Sequence, residues 1–551
     1  MKKLAALLLS AILLLASGCG KQDSDADQLR AEDLPESCRG WFDIAETAGA
    51  AEENSGFPAA ARAAEGAAEG GIAARLPDGT EVDVVGESEQ FAEGVKLSEL
   101  TDGKAKRLGS GGRVIWNGEL YDACTIAAEN CRLPNLRPHE GGILRLDISG
   151  DCTVDGGGEE FGCFAGFDCV VVTGSGTLTI INTSGLASGT GRLPLPALLV
   201  DGGVTLRCGS IGVAANEAGV PAFALLDGTV CAESLWLGRG ELVVAGGVLS
   251  ARDIFEVSGA TFRGGVTLLG YAGDCANMKV VLSGGALYTA DALPADAAVE
   301  AGAGTLCVKD AAQLSVKKYD KATVLDSETD GSPLAYTDYS EDWAGIVSGA
   351  RWDGLAAQQA EGLWFVGKLT MDNGRCDELK PWGALWLELR GENFVQAELG
   401  GTSCVLTGGG SLTADTLNIW GWGGMHTPLC SIGADTEVYC ANLRMGSNAG
   451  GAGTVVISSG KLTVDNEFWL QNGTLEVRGG EVRLCGDAAI EQGSLNITGG
   501  TVIIEKGLWI GAGDVNLSGG TLVLPNGEDS LTLESGKLHN HGGTLTTEGE
   551  K

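Results

Sequence analysis

The sequence predicts an all-β fold, a parallel β-helix (β-solenoid) of about 20-residue coils in two duplicated halves, and three observations carry that expectation. The first is a beat of glycine pairs. Gly479-Gly480, Gly499-Gly500 and Gly519-Gly520 are spaced 20 residues apart, with Ser459-Gly460 one step before and Gly542-Gly543 one step after. The second is alternation inside each phrase, counted from its glycine pair. Positions 2 and 4 hold Leu462 and Val464, Val482 and Leu484, Val502 and Ile504, Leu522 and Leu524. Positions 8 and 10 hold Phe468 and Leu470, Ala488 and Ile490, Leu508 and Ile510; positions 15 and 17 hold Leu475 and Val477, Leu495 and Ile497, Val515 and Leu517. A spacing of two is the period of a strand, so each phrase reads as three short strands with one apolar side. One phrase cannot bury that side alone, but stacked phrases bury it continuously. The third observation is a larger duplication. GGILRLDISGDCTV at 141–154 matches WGALWLELRGENFV at 382–395, and TVCAESLWLG at 229–238 matches EVYCANLRMG at 437–446.

The chain begins with Lys2 and Lys3 followed by the apolar run Leu4 to Leu15, a stretch too short to span a bilayer stably as a helix. Leu15-Ala16-Ser17-Gly18-Cys19 follows and resembles the bacterial lipobox. The resemblance implies cleavage before Cys19, lipidation of its thiol, and an exported protein held to the cell membrane on its extracytoplasmic side. Residues 1–19 are accordingly read as a signal peptide. Residues 20–118 form a tether and N-terminal region, with a polar run KQDSDADQLRAED at 21–33 and an alanine-rich, helix-compatible stretch near 42–75. The first solenoid half is expected over 119–307 and the second over 363–551. Between them, 308–362 loses the repeat and reads as a connector or cap. Stacked end to end, roughly 18 coils at ~4.8 Å each make a rod on the order of 85 Å long; the sequence does not choose between that and separate stacks.

The 551 residues include 88 glycines and 13 prolines without collagen period, and 73 acidic against 37 basic side chains give a net charge of −36. Such a surface repels nucleic acid and anionic lipid, so the expected membrane contact is the lipid anchor alone. Of 16 cysteines, 15 remain once Cys19 is lipidated, an odd number with no CxxC spacing. Several sit beside apolar residues, as in Asp168-Cys169-Val170, so buried thiols are favoured over a disulfide framework.

Chemistry is expected at outward positions that the shape does not require. Position 9 lies between two inward residues, and along the second half it reads Asn418, Arg444, Trp469, Ala489, Trp509. In the first half Trp236 takes the place of Arg444, and Glu256 that of Trp469. Trp469 and Trp509, two coils or about 10 Å apart, suit stacking against the sugars of an extended glycan; a covering loop, half or subunit is the plainer alternative. Asp147, Asp151 and Asp155 recur every four residues around a glycine-rich corner and are candidate Ca2+ ligands, although Asp-Gly is also ordinary turn chemistry. Their second-half counterparts are Glu388, Glu392 and Gln396.

The architecture resembles the right-handed β-helix of pectin-lyase-like proteins and is similar to bacterial lipoproteins with β-helical carbohydrate-binding domains. Arg132-Leu133-Pro134-Asn135-Leu136-Arg137 matches the RxPxxR pattern of one pectate lyase family, where the motif lies well inside the helix. Here it precedes the first clear coil, and no catalytic set of β-helix polygalacturonases appears. His539 and His541 read as part of a C-terminal capping turn. The expected function is a non-catalytic cell-surface lipoprotein that binds carbohydrate or a surface protein. The alternatives are a polysaccharide lyase or hydrolase acting on an acidic polysaccharide, and a structural or adhesin stalk.

Overall fold

The computed structural model describes residues 123–547 with breaks at 131, 138–142, 160–161, 184, 190–194, 215–219, 274, 315, 328–332, 337–347, 382, 422–427 and 448–451. Ahead of them it describes five short strand pieces, the first at Ala74–Arg75 and the last at Gly112–Val114. The signal segment, Cys19 and the polar tether lie outside the described residues.

The chain is a parallel β-solenoid of about 18 turns. Each coil contributes a strand to three faces. In the coil around residue 480 these are Gly473–Val477 on the first face, Glu481–Leu484 on the second and Asp487–Gln492 on the third. Each strand pairs with its equivalent one coil away: Leu475 with Leu495, Val482 with Val502, Ala488 with Leu508. The inward residues at positions 2, 4, 8, 10, 15 and 17 are buried throughout the regular coils. At ~1.5–3 kcal/mol for each large apolar side chain removed from water, this continuous stack is what pulls short strands into one ladder. The glycine pairs turn the corners. Gly500 has φ +69°, and a Cβ there would meet the Gly480 carbonyl oxygen at 2.5 Å, so neither conformation nor space admits a side chain.

The coils form two ladders, one of 17 strands and one of 22, with no strand pairing between them among the described residues. Val316–Asp326 pairs in parallel with Ala298–Val308 and extends the first ladder. Ser348–Ala360 then runs antiparallel to Leu363–Cys376, a hairpin turned at Glu361 and Gly362 (φ 50° and 84°). That hairpin fills the seam between the halves. Leu334, Val366 and Trp364 pack on Leu268, Val266 and Tyr288 of the first half. Arg207 reaches Asp353 at 2.9 Å. On the other side, Phe365 meets Trp386 edge-on at 5.7 Å, in a cluster with Val405 and Val456. The hairpin thus joins the second face of the first half to the first face of the second half. This explains why Cys231, Ser250 and Leu268, outward by alternation, are nonetheless buried.

Twelve cysteines among the described residues stand outside any disulfide, ten of them buried. They act as small core apolar residues. Burial pushes the Cys231 and Cys430 thiols up to about 12.

Candidate functional site

The third face of the second half carries the richest outward chemistry. Asn418, Arg444, Trp469, Ala489 and Trp509 stand in register, each paired with the next. Their neighbours Leu417, Ile419, Leu443, Met445, Phe468, Leu470, Leu508 and Ile510 are buried, so alternation turns the five outward. Arg444 is exposed; Asn418, Trp469 and Trp509 are half-buried.

Trp420 completes the row. It follows Asn418 by two residues on the same outward side, opposite Gly446. A Cβ on Gly446 would collide with the Trp420 six-membered ring, so the indole lies over that glycine and leans across its coil. There it stacks on Trp469, ring centroids 6.2 Å apart and planes inclined by 22°. Carboxylates hold the indoles. Trp469 donates Nε1–H to Glu491 Oε1 at 3.1 Å, and Trp509 donates likewise to Glu534 Oε1 at 3.1 Å. Trp509 in turn covers Gly511, whose added Cβ would meet its Cη2 at 2.9 Å. Around the aromatic row, Arg444 donates Nε–H to Glu467 at 2.8 Å and Asn418 donates to Glu398 at 2.9 Å. The result is a ridge of oriented indoles edged by charge-assisted pairs. The seam packs against the first face of this half, not the third.

Position 9 alone did not reveal Trp420, because it lies two residues beyond that position. The usable signal was its glycine partner: Trp420 faces Gly446, and Trp509 is followed two residues later by Gly511.

In the first half, Trp236 pairs in register with Phe255, not with Glu256. Glu256 has φ 49°, and the inward residues Ile254 and Val257 are three positions apart in sequence rather than the two of a regular strand. This bulge shifts the outward rung, so Phe255 is the counterpart of Trp469.

The three aspartates do not assemble a calcium site. Asp147 lies on Ile143–Ser149, while Asp151 opens the next strand, Asp151–Glu159, after the Gly150 corner. Asp155 is four residues further along that strand, on the order of 13 Å at the rise of extended chain. Among the described residues no three His, Cys, Asp or Glu side chains group to hold a metal ion. Asp151 is corner chemistry: its N–H donates to Asn130 Oδ1 at 3.0 Å, as Glu392 N–H does to Asn373 Oδ1 at 3.1 Å in the second half. Asp147 has a different setting. Burial raises its carboxyl above the usual range, opposed by Arg145, whose guanidinium also faces Asp201, another carboxyl raised by burial. Its counterpart Glu388 is held low, first by the hydrogen bond from Lys368 at 2.7 Å.

The Arg132–Arg137 motif lies in the first coil rather than ahead of it, since Arg132–Pro134 pairs in parallel with Thr153–Asp155. His539 and His541 stack in parallel at 6.1 Å in the last described coil.

No protein-family model matches the chain, and neither a curated protein nor a solved structure does so. What defines the molecule is thus its own architecture, a two-ladder parallel β-solenoid with an aromatic ridge on one face.

Proposed function

We propose that this protein is a non-catalytic surface lipoprotein, anchored through Cys19, whose second solenoid half binds an extended, uncharged glycan along its third face. The observation that carries the reading is the Trp420–Trp469 stack continued by Trp509. Sugar rings present flat C–H faces that pack on indoles, and an extended chain offers them at regular intervals, as a solenoid offers side chains. Glu491 and Glu534 fix the indole orientation before binding, which lowers the ordering cost. Their remaining carboxylate oxygens accept hydrogen bonds donated by sugar hydroxyls. A net charge of −36 with several carboxylates along the ridge disfavours acidic polysaccharides. The kinship with pectin-lyase-like proteins suggested by the sequence rests on architecture alone, and fold alone is a poor warrant for activity.

The test is uptake by the full chain from a panel of neutral oligosaccharides, polygalacturonate and surface-protein extracts. Trp469→Ala/Trp509→Ala lowers uptake of a neutral sugar; undiminished uptake overturns the reading, and capture of protein only replaces it with a protein-binding role.

A second reading has one observation in its favour. Asp147 and Asp201 are two carboxyls raised by burial near the Arg145 guanidinium, and a carboxyl raised in this way is the kind of group that serves as a general acid at a glycosidic oxygen. Release of reducing or unsaturated ends from a polysaccharide, lost in Asp147→Asn, would establish it.

A further inference from the structure

The third face of the first half also carries aromatic rings, with Phe255 in the place of Trp469 and two further rings that the Trp469 row does not include. Trp236 covers Gly238 of its own strand, whose added Cβ would meet its Cη2 at 3.0 Å, as Trp509 covers Gly511 in the second half. Gly238 and Gly446 are equivalent in the matched segments at 229–238 and 437–446. On the next coil the rung of Trp236 holds Phe255, in the place that Trp469 takes opposite Arg444. One coil further, the rings of Tyr271 and Phe255 converge on Gly273, where an added Cβ would meet them at 2.6 Å and 2.9 Å. Tyr271 is 49% exposed, the most open of the large apolar side chains among the described residues. A charged pair edges these rings as Arg444 and Glu467 edge the other set: Arg252 donates Nε–H to Asp253 at 3.1 Å. Seam residues in this half lie on the second face, so the third face stays clear of the hairpin.

We infer that the first half bears a second glycan platform, formed by Trp236, Phe255 and Tyr271, and that one chain binds two segments of the same class of neutral glycan. The inference rests on the proposed sugar-binding role of the second half. Three glycines at which side chains would displace the rings, Gly238, Gly273 and Gly446, keep the aromatic surfaces low and broad, which suits a sugar chain lying along the coils. Two platforms on one rigid body raise the effective concentration of a long glycan at the second platform once the first is engaged.

The experiment is calorimetric titration of the full chain with the neutral hexaose it takes up best from gluco-, manno- and N-acetylglucosamine series. The wild type takes two hexaoses per chain, and Phe255→Ala/Tyr271→Ala and Trp420→Ala/Trp469→Ala take one each. Tyr271→Ala alone, a change at an exposed ring, keeps the fold and weakens one of the two sites about tenfold. One hexaose per wild-type chain, with stoichiometry and affinity unchanged by Phe255→Ala/Tyr271→Ala and Tyr271→Ala, overturns the second platform and leaves the first standing. No uptake by the wild type overturns both.

Discussion

Trp420 and Trp469, 49 positions apart in sequence and two coils apart in the ladder, stack with centroids 6.2 Å apart because Gly446 lies between them. The glycine is therefore part of the ridge. Gly446→Ala is expected to displace the Trp420 indole and to weaken neutral-sugar binding as much as Trp420→Ala does, about five- to tenfold. Both variants keep the melting temperature within a few degrees, since the indole is half-buried and the inward stack is untouched. Unequal effects on binding in the two variants would separate the glycine from the stack.

Corner glycines divide into two kinds, distinguishable by substitution. Gly203 has φ +81° but an added Cβ would meet only the Gly174 carbonyl oxygen, at 3.9 Å. Gly493 has φ +137°, and an added Cβ would drive into the Gly473 carbonyl oxygen of the neighbouring coil. Gly203→Ala is expected to cost about 1–2 kcal/mol, the left-handed backbone penalty alone. Gly493→Ala adds the clash between coils and costs more than about 3 kcal/mol, read from denaturant midpoints at constant slope.

The seam predicts coupling between the halves. Arg207 and Asp353 are 26% and 15% exposed, and their 2.9 Å ion pair is a bond across the interface. Each single alanine substitution is expected to destabilise by about 1–2 kcal/mol, and the double variant by much less than the sum, because removing one partner strands the other charge. Additive losses in a double-mutant cycle would show that the pair does not couple.

Stability is expected to decline at alkaline pH through the buried thiols. Cys231 and Cys430 hold their protons in the folded chain up to about 12, whereas unfolding returns each to an ordinary value near 9. Below pH ~9 both states are protonated and stability is full. Above it the unfolded chain binds fewer protons, so each thiol withdraws up to about 1.4 kcal/mol per pH unit until the folded value is reached. Cys231→Ala and Cys430→Ala flatten the slope of unfolding free energy between pH 9 and 11; an unchanged slope contradicts the account.

The regular coils were legible from sequence because one rule governs them: period two, with glycine at the corners. That rule placed Leu475, Val482 and Ala488 inward and Trp469 and Trp509 outward. It failed where geometry depends on a partner. The bulge at Glu256 moved the outward rung to Phe255, and no local signal marks a left-handed glutamate. Trp420 entered the ridge through a glycine on another coil. The buried Cys231 and Ser250 are explained by a hairpin more than 90 residues later in the chain, a contact that periodicity does not encode. The acidic spacing at Asp147, Asp151 and Asp155 looked like a ligand set only until a corner and an extended strand separated its members.

The most direct test of the central claim is titration of the full chain and of Trp469→Ala/Trp509→Ala with a neutral hexaose, following heat and indole fluorescence. The wild type is expected to bind with quenching or a shift of Trp emission and to ignore polygalacturonate, and the double variant to lose most of that spectral change together with the heat of one site. Binding of the double variant with wild-type heat and stoichiometry would contradict the ridge as a glycan site.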